Sequence, residues 1–557
     1  MKEQQPEHSL QLEPQVVVRP LRAHGGVRGS DTPRGSVLFE GKFGRIFRTL
    51  PAAQFDDDDL ARLADKMTAE AETDPQTHQP TATPENEVDD EENQGIDAGY
   101  TYLGQFIDHD LTLDPMSSLV KQNDPEALTD FRTPRFDLDC VYGRGPDDQP
   151  YLYEDGGLRL KLGTHLTGAE DFYQEFASGS KAFDLPRHQS GLKSRARALI
   201  GDPRNDENVI VSQLQGIMLR FHNRMVDHLT QKNPNGHTPD FAEAQRLVRW
   251  HYQWVVLHDF LPTMVGDDPL DLILPHLKKH TSIYVDKPKL CFYKPRNEPF
   301  MPIEFAAAVY RFGHSMVRPL YRLSTSLVGK GPEKDPINGR LLIFRPDDDN
   351  KGLNGFRKFS SKWAIDWSLF FKMRDNSPSS GIRRVQKSYK IDSSLVDPLR
   401  MLPLSVSGKG PRSLALRNLQ RGARMGLPNG QDVARYLDLD PIPDEQLRVG
   451  KATAKTTTGK PDERNPLLTE VSKKFADNAP LWYYILAEAQ QAFKDDSTPI
   501  RLGKVGGRIV AEVFIGLLLG DSHSYLSQHP KWQPEEEFKR NGQFGMAELI
   551  RQAIQSK

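Results

Sequence analysis

Hydrophobic residues recur along much of the chain with the spacing of an amphipathic α-helix. Within residues 212–229 the apolar positions fall on one helical face, and they are Leu214, Ile217, Met218, Phe221, Met225 and Leu229. The same spacing predicts helices over residues 242–260 and 303–318, the second of which Pro319 should end. Further helices are expected at 59–70, 480–494, 508–519 and 546–554. Strand-like runs are few and short, such as residues 341–344, so the pattern predicts a mainly α fold with little β-structure.

Three polar segments interrupt this pattern. Residues 1–35 are rich in Gly, Pro and Arg without apolar periodicity, which predicts a disordered or loosely packed tail. Residues 73–95 and 450–466 are predicted to be long surface loops. No repeat of fixed period is present. We expect residues 36–557 to form one large domain.

Composition excludes several classes of protein. The 557 residues are 37% hydrophobic and 27% charged, which is typical of a soluble globular chain. The net charge of −3 gives no general attraction to nucleic acid or anionic membranes. The longest apolar run, residues 513–520, is far shorter than the roughly 20 residues that span a bilayer.

The N-terminus and the cysteines bear on the compartment. The first residues, MKEQQPEHSLQLEP, contain no apolar core of a secretory signal, so we expect a cytoplasmic protein or one exported without such a signal. Cys140 and Cys291 are too few for a disulfide scaffold. They are interpreted as unpaired thiols in a reducing compartment. A monomer is the favoured oligomeric state.

Candidate chemistry begins in residues 102–115, YLGQFIDHDLTLDP, where His109 lies between Asp108 and Asp110. Such a triplet could bind a metal, act as a catalytic base with its orienting groups, or form a polar turn. The tripeptide alone does not decide between these interpretations.

Other segments supply possible partners for the triplet. Arg204 and Glu207 lie in a loop, GDPRNDE, that leads directly into the helix over 212–229. His314 lies in the apolar segment AVYRFGHSMVRP beside Gly313, which allows a bulky group to approach the backbone. A histidine in an apolar helix is more often a core residue, but haem iron uses an imidazole held in this way. Asn418 could cap a loop, or accept the Nδ1 proton of a ligating histidine.

A further segment, RTPRFDLDCVYG, alternates polar residues. Thr133, Arg135, Asp137 and Asp139 would share one side if the segment were extended. A hydroxyl, the backbone carbonyl of Arg135 and two carboxylates would then form an oxygen site suited to Ca²⁺. The alternative is a solvated acidic loop.

Taken together, these segments resemble the animal-type haem peroxidases, the superfamily of myeloperoxidase and lactoperoxidase, and especially its bacterial members. The resemblance covers about residues 36–557 and rests on motifs in the family's order: GQFIDHD, TPRFDLDCVYG, GDPRNDE, YRFGH and RNLQRGARMGLP. It implies a helical fold, haem b as cofactor and bound Ca²⁺. It also implies an enzyme that reduces H₂O₂ through a ferryl intermediate and oxidises small one-electron donors, with halides or thiocyanate as further candidates.

The resemblance implies a role for each matching residue. His109 matches the distal histidine, Arg204 the distal arginine and Gln105 a glutamine near the halide and peroxide site. His314 matches the proximal iron ligand and Asn418 its hydrogen-bond partner. The remaining positions of the cofactor-binding set are the ester-forming carboxylates Asp108 and Glu207, Arg421 near a haem propionate, and Arg311.

The same resemblance implies a set of calcium ligands, and it also shows where this chain departs from the family pattern. The implied ligands of Ca²⁺ are Asp110, Thr133, the Arg135 carbonyl, Asp137 and Asp139. Asp139 stands where mammalian relatives have Ser and adds a charge. Asn208 follows the ester glutamate where myeloperoxidase has Met, so no sulfonium link is expected.

Three rival functions stay open. A fatty-acid oxygenase of the same superfamily would carry a Tyr three residues before the proximal histidine, where this chain has Arg311 and places Tyr310 four residues before it. A non-catalytic haem or calcium protein would not need both His109 and Arg204. A divalent-metal hydrolase built on residues 108–110 would leave Arg204, His314 and Asn418 unexplained.

Overall fold

The computed structural model describes most of the chain. The described residues are 41–70, 91–112, 129–130, 132–191, 194–232, 239–295, 299–328, 339–348, 351–452, 465–493 and 498–556. The predicted tail 1–35 and most of the predicted loops 73–95 and 450–466 lie outside them. The end of the first loop is described, and its last residues already belong to a strand that begins at Glu92.

The described chain is mainly helical, as predicted. Its α-helices are α1 (Asp57–Lys66), α2 (Gly99–Leu111), α3 (Asp139–Tyr142), α4 (Glu170–Phe176), α5 (Val209–Lys232), α6 (Phe241–Val255), α7 (Leu261–Val265), α8 (Asp267–Ile273), α9 (Pro275–Lys279), α10 (Ile303–Ala307), α11 (Leu404–Ser407), α12 (Leu414–Arg424), α13 (Gly430–Tyr436), α14 (Leu468–Val471), α15 (Leu481–Gln490), α16 (Lys504–Gly520), α17 (Tyr525–Gln528) and α18 (Met546–Ala553). Short 3₁₀-helices include Pro203–Asp206 and Val309–His314, and a π-helix, Val256–Phe260, joins α6 to α7.

The strands are short and scattered. They are β1 (Gly41–Gly44), β2 (Glu92–Asp97), β3 (Thr129–Asp130), β4 (His165–Leu166), β5 (Ala182–Phe183), β6 (Arg187–His188), β7 (Arg197–Ala198), β8 (Met301–Pro302), β9 (Leu320–Tyr321), β10 (Leu341–Leu342) and β11 (Lys387–Tyr389). β1 pairs antiparallel with β3 and parallel with β8, and the other pairs are β9–β10, β2–β11, β4–β5 and β6–β7.

The longest helix, α5, forms the centre of the core. Its predicted apolar face is buried from Leu214 to Met225, and Leu229 at its end is half-buried. α5 packs against α2, α6 and α18, while α12 packs against α10 and α15. α2 also contacts both 3₁₀-helices, Pro203–Asp206 and Val309–His314. These contacts bring the motif-bearing segments around one region of the core.

The predicted helix over 303–318 is wrong in part. α10 ends at Ala307, because Ala308 departs from helical geometry with φ −135° and ψ −67°. The carbonyl of Ala306, which residue 310 would engage in a continuous α-helix, instead accepts a hydrogen bond from Nε of Arg311 at 2.9 Å. The chain therefore continues as the tighter 3₁₀-helix Val309–His314.

The predicted extended segment over 133–139 is also wrong. The chain bends through these residues, and Leu138 adopts the left-handed region with φ 58° and ψ 33° directly before α3 begins at Asp139. The carboxylates of this segment are therefore brought together by a turn rather than by strand alternation. Among the described residues, no helix is long and apolar enough to cross a membrane.

Candidate active site

A cavity of about 490 Å³ lies where α2, the two 3₁₀-helices and α12 meet. Its size falls within the range of about 300–1,000 Å³ that is usual for small-molecule and cofactor sites. All the predicted catalytic and cofactor-binding residues line it, namely Gln105, Asp108, His109, Arg204, Glu207, Arg311, His314, Asn418 and Arg421. Segments far apart in sequence thus converge on one space.

His109 is held by a chain of amides. Oδ1 of Asn205 lies 2.7 Å from Nδ1 of His109 and can only accept, so Nδ1 carries the proton and donates it. Nδ2 of Asn205 donates to Oε1 of Gln215 at 2.8 Å, which fixes the orientation of the Asn205 amide. Burial, together with the nearby Arg204, lowers the pKa of His109 to about 4. The imidazole is therefore neutral at pH 7, with an unprotonated Nε2 available as a base.

Arg204 is fixed at both ends of its side chain. Its Nη2 donates to the backbone carbonyl of His109 at 2.9 Å, and to the carbonyl of Thr112. The same atom donates to Oδ2 of Asp202 at 2.8 Å, and the backbone N–H of Arg204 donates to Oδ1 of Asp202. Burial alone would lower the pKa of Arg204, but the charge of Asp202 raises it, so the guanidinium stays cationic.

A buried ion-pair chain extends behind Arg204. Oδ2 of Asp202 accepts from Nη2 of Arg132 at 2.6 Å, and Nη1 of Arg132 lies 3.0 Å from Oδ1 of Asp139. Burial alone would raise the pKa of Asp202, but Arg204 and Arg132 hold it well below its ordinary value. The chain Asp139–Arg132–Asp202–Arg204 links the turn over residues 133–139, the acidic turn, to the cavity.

The two candidate ester carboxylates differ in their surroundings. Oδ2 of Asp108 lies 4.0 Å from Nη1 of Arg311, and this cation lowers the pKa of Asp108 against the opposing effect of burial. Burial raises the pKa of Glu207 to about 7. Gln105 lies between Glu207 and Asn208, since its Nε2 donates to Glu207 at 3.5 Å and its Oε1 accepts from Asn208 at 3.1 Å.

His314 faces the cavity from the 3₁₀-helix Val309–His314. Its Nδ1 lies 2.7 Å from the side-chain amide of Asn418, where the nitrogen Nδ2 is the nearer atom. Rotating the Asn418 amide by a half-turn exchanges its oxygen and nitrogen. The oxygen can then accept the proton on Nδ1 of His314, which leaves Nε2 unprotonated and free to bind a metal. Burial, then Arg311, lowers the pKa of His314 to about 3, so this imidazole is neutral as well.

Space is available beside His314. A Cβ added to Gly313 would meet no atom of the described chain within 4 Å. This observation agrees with the expectation that a bulky group approaches the backbone there.

Asp110 turns away from the cavity toward the acidic turn. Carboxylate oxygens of Asp110, Asp137 and Asp139 lie within 4.8 Å of one another, and all three residues are buried. Backbone N–H groups support them, because Leu138 donates to Asp110 at 3.3 Å and Asp139 donates to Asp137 at 3.2 Å. Oδ1 of Asp110 has no hydrogen-bond partner among the described residues.

The other predicted ligands lie in the same turn. Oγ1 of Thr133 donates to Oδ2 of Asp137 at 2.6 Å. The Arg135 side chain points elsewhere, with Nε 3.8 Å from Oδ1 of Asp521, and the role of its carbonyl stays a prediction. Burial and the neighbouring carboxylates raise the pKa of Asp110 above its ordinary value, as expected where like charges are crowded.

Sequence reasoning missed several residues of this region. Asn205 and Asp202 flank Arg204 within the quoted GDPRNDE motif, so their position was a usable signal. Arg132 is the first residue of the segment RTPRFDLDCVYG, but no pattern marks it. Arg417, which lines the cavity beside Asn418, was also overlooked.

The chain is also similar to known proteins. A family model described as animal haem peroxidase matches residues 120–448. Mouse thyroid peroxidase is 23% identical over 369 residues, which cover 65% of this chain and 35% of that protein. A peroxidase-like protein of Margaritifera margaritifera is 30% identical over 376 residues, or 59% of this chain and 44% of that protein. The chain thus spans less than half of the length of these curated relatives.

Solved structures share the fold as well. Peroxidase A of Dictyostelium discoideum has a TM-score of 0.53 and 16% identity, and covers 88% of this chain and 89% of its own. A fatty acid alpha-dioxygenase of Oryza sativa has a TM-score of 0.51 and 16% identity, with 93% and 86% covered. The special likeness to bacterial members stays a prediction. Because the family model matches more than half of the residues, this chain belongs to the animal haem peroxidase family.

Proposed function

We propose that this chain is a haem peroxidase that reduces H₂O₂ and oxidises small one-electron donors, with halides or thiocyanate as further candidates. One observation carries the proposal. Two neutral imidazoles, His109 and His314, line the same cavity as Arg204, and an amide side chain contacts Nδ1 of each. This is the arrangement that a haem needs, with a ligand on one side and a base and a cation on the other.

The residues of the cavity fit haem b. Nε2 of His314 makes no hydrogen bond to the described residues, and open space lies beside Gly313. Arg311, Arg417 and Arg421 also line the cavity, and their guanidinium groups suit the anionic propionates of a haem. When bound, the haem supplies the iron that receives peroxide and the oxidising equivalents that donors consume.

His109 supplies acid–base catalysis in this proposal. Its Nε2 takes a proton from H₂O₂ and returns it to the oxygen that leaves as water. Asn205 holds the proton on Nδ1, so Nε2 is always the basic atom. The hydrogen bonds that fix Asn205 keep this tautomer without any reorganisation during the reaction.

Arg204 stabilises negative charge as the oxygen–oxygen bond breaks. It remains a cation because Asp202 holds it, and its side chain is tied to the helix end that carries His109. Gln105 contributes a polar contact on the same side, near Glu207 and Asn208.

Asp108 and Glu207 are proposed to tether the haem through ester bonds. Both carboxylates line the cavity, on α2 and at the end of the 3₁₀-helix Pro203–Asp206. Such links would fix the cofactor and withdraw electrons from it, which would favour oxidation of halides or thiocyanate. Asn208, the residue after Glu207, offers no sulfur for a further link.

The acidic turn is proposed to bind Ca²⁺ through Asp110, Thr133, the Arg135 carbonyl, Asp137 and Asp139. Three buried carboxylates and an unpartnered Oδ1 of Asp110 fit a cation better than a solvated loop. Asp110 directly follows His109 on α2, so a bound cation would hold the base in position.

The rival functions have less support. A fatty-acid oxygenase would need a tyrosine three residues before His314, where this chain has Arg311. Nε of Arg311 donates to the carbonyl of Ala306, and its Nη1 lies 4.0 Å from Asp108. A divalent-metal hydrolase built on residues 108–110 would need Asp108 and Asp110 to bind the same metal ion. Asp108 instead faces the cavity, whereas Asp110 joins Asp137 and Asp139.

Titration of the purified chain with haemin tests the proposal. We expect an intense Soret band that saturates at one haem per chain, and rapid reaction of the loaded protein with H₂O₂. Substituting His314→Leu should change the haem spectrum itself, whereas substituting the neighbouring Ser315→Ala should not. A chain that takes up no haem would contradict the proposal.

A further inference from the structure

The tyrosines that line the cavity differ in what can accept their hydroxyl protons. Tyr100, Tyr102 and Tyr310 all contribute to the lining. The hydroxyl of Tyr100 donates to Oδ1 of Asp259 at 2.6 Å, whereas that of Tyr310 donates to the backbone carbonyl of Gly104 at 3.4 Å. Tyr102 packs edge-on against Tyr321, with ring centres 5.4 Å apart, and its hydroxyl contacts no carboxylate of the described chain.

Asp259 is built to present one oxygen to Tyr100. It lies in the π-helix Val256–Phe260, an irregularity that often marks a functional position. Its Oδ2 accepts the backbone N–H of Met546 at 2.7 Å, which leaves Oδ1 for the phenol. A side chain at residue 545 would collide with Oδ2, because a Cβ on Gly545 would lie 2.7 Å away. Burial raises the pKa of Asp259 and so favours proton uptake.

This contact has a chemical consequence. A phenol that loses one electron becomes a strong acid, so its oxidation is easy only where a base takes the proton at once. A carboxylate at 2.6 Å lies within the range of about 2.6–3.2 Å over which proton transfer is direct. A backbone carbonyl, such as the partner of Tyr310, cannot take the proton.

Tyr100 lies in the same cavity as His109 but well away from it. Both residues belong to α2, and nine positions separate them. At a rise of 1.5 Å per residue, their Cα atoms are about 14 Å apart along the helix axis. The ring of Tyr100 packs edge-on against Phe371, with centres 5.3 Å apart, so it is fixed in an apolar setting.

We propose that Tyr100 and Asp259 form a second oxidation site, at which phenols or aromatic amines give up one electron. The inference rests on the proposed peroxidase function, whose reaction with H₂O₂ supplies the oxidant. With haem bound, the oxidising equivalents from H₂O₂ would remove one electron from Tyr100, and its hydroxyl proton would move to Oδ1 of Asp259. The resulting tyrosyl radical takes one electron from the donor, and the proton returns from Asp259. The donor leaves as a radical cation, or as a neutral radical after releasing its own proton to water.

Freeze-quench electron paramagnetic resonance of the haem-loaded chain tests this site. Mixing with H₂O₂ in the absence of donor should give a tyrosyl radical, whose hyperfine splitting changes when the protein contains ring-deuterated tyrosine. Tyr100→Phe should lose this signal, while the matched variants Tyr102→Phe and Tyr310→Phe should keep it. Asp259→Asn keeps an oxygen acceptor but removes the base, and should slow radical formation by about 10²-fold or more.

The outcomes separate this proposal from the proposed function. Haem absorbance and H₂O₂ consumption are recorded for every variant. A wild-type chain that binds no haem or consumes no H₂O₂ would contradict both the proposed function and the radical site. A loaded, peroxide-consuming wild type with no tyrosyl signal would overturn the proposal for Tyr100 alone. A signal that survives Tyr100→Phe and disappears in Tyr310→Phe would assign the radical to Tyr310 and also overturn it.

Discussion

Nη2 of Arg132 lies 2.6 Å from Oδ2 of Asp202, in a contact that is buried on both sides. Arg132 also reaches Asp139, and Asp202 also holds Arg204. The arginine therefore balances charge on a carboxylate of the acidic turn. It connects that turn to the cation of the cavity.

Replacing Arg132 by Met should destabilise the fold and slow the reaction with H₂O₂. Removing one partner of a buried ion pair leaves an uncompensated charge, which costs about 3–5 kcal/mol of unfolding free energy. Denaturant unfolding and stopped-flow absorbance measure the two effects. Arg159 is a matched control, because it pairs with Asp227 at 2.6 Å on a more exposed part of the chain. Arg159→Met should cost only about 0–1 kcal/mol, and equal losses in both variants would contradict the assignment.

Asn205 should control the basicity of His109. Asn205→Leu removes the acceptor for the Nδ1 proton, and we expect a loss of about 10- to 100-fold in the rate with H₂O₂, as for other groups that orient an imidazole. Asn205→Asp offers a charged acceptor and should raise the pKa of His109, moving the acidic limb of the pH–rate profile to higher pH. An unchanged profile in both variants would show that this hydrogen bond does not tune the base.

The pH dependence of the wild-type rate with H₂O₂ can also be predicted. His109 has its pKa lowered to about 4, so its basic form persists well below the ordinary imidazole pKa of about 6.5. The rate with H₂O₂ should stay near its maximum down to about pH 5 and fall as pH decreases through about 4. A midpoint near 6.5 would mean that burial and Arg204 do not act on His109 as described.

Removal of Ca²⁺ should lower activity without altering the surroundings of His314. Asp110 lies on α2 next to His109 and beside the carboxylates of the acidic turn, so loss of the cation would leave crowded charges whose repulsion moves the base. Chelation followed by activity, haem absorbance and thermal unfolding measures this. A calcium-free preparation with full activity would contradict the coupling.

A second acidic group provides the control for the calcium experiment. His228, Glu535 and Glu537 also lie close together, but Nζ of Lys232 lies 2.5 Å from Glu535 and already balances charge there. Glu537→Gln should leave the response to chelation unchanged. Asp137→Asn should abolish that response.

The proposed ester bonds to haem predict resistance to extraction. Haem of the wild type should remain with the protein in acidified acetone after exposure to H₂O₂, because an ester at Asp108 or Glu207 holds it. Asp108→Asn and Glu207→Gln should each still retain haem through the other residue. Only the double variant should release it, and ready release from the wild type would show that no ester forms.

The sequence predicted the mainly helical fold, and the residues it marked for the site line one cavity, although their roles stay predictions. Helix α5 has apolar positions at helical spacing, and the predicted cavity residues lie within the sequence motifs. The break between α10 and the following 3₁₀-helix was not predictable, because it depends on a side chain, that of Arg311, taking a helix carbonyl. The turn over 133–139 was not predictable either, because Leu138 adopts a left-handed conformation that its residue type disfavours.

Contacts between distant segments were the least predictable part of the site. Asn205 and His109 are 96 positions apart, and Tyr100 and Asp259 are 159 apart. Each pair forms only because α2 packs against elements from other parts of the chain. Residue type and local spacing contain no signal for such pairs.

The proposal depends most on His109 acting as the base for H₂O₂. Single-turnover stopped-flow measurement on haem-loaded wild type and His109→Leu addresses this most directly. We predict that the variant keeps its haem absorbance and His314 coordination but reacts with H₂O₂ about 10²- to 10⁴-fold more slowly. A variant that reacts with H₂O₂ as fast as the wild type would contradict the account.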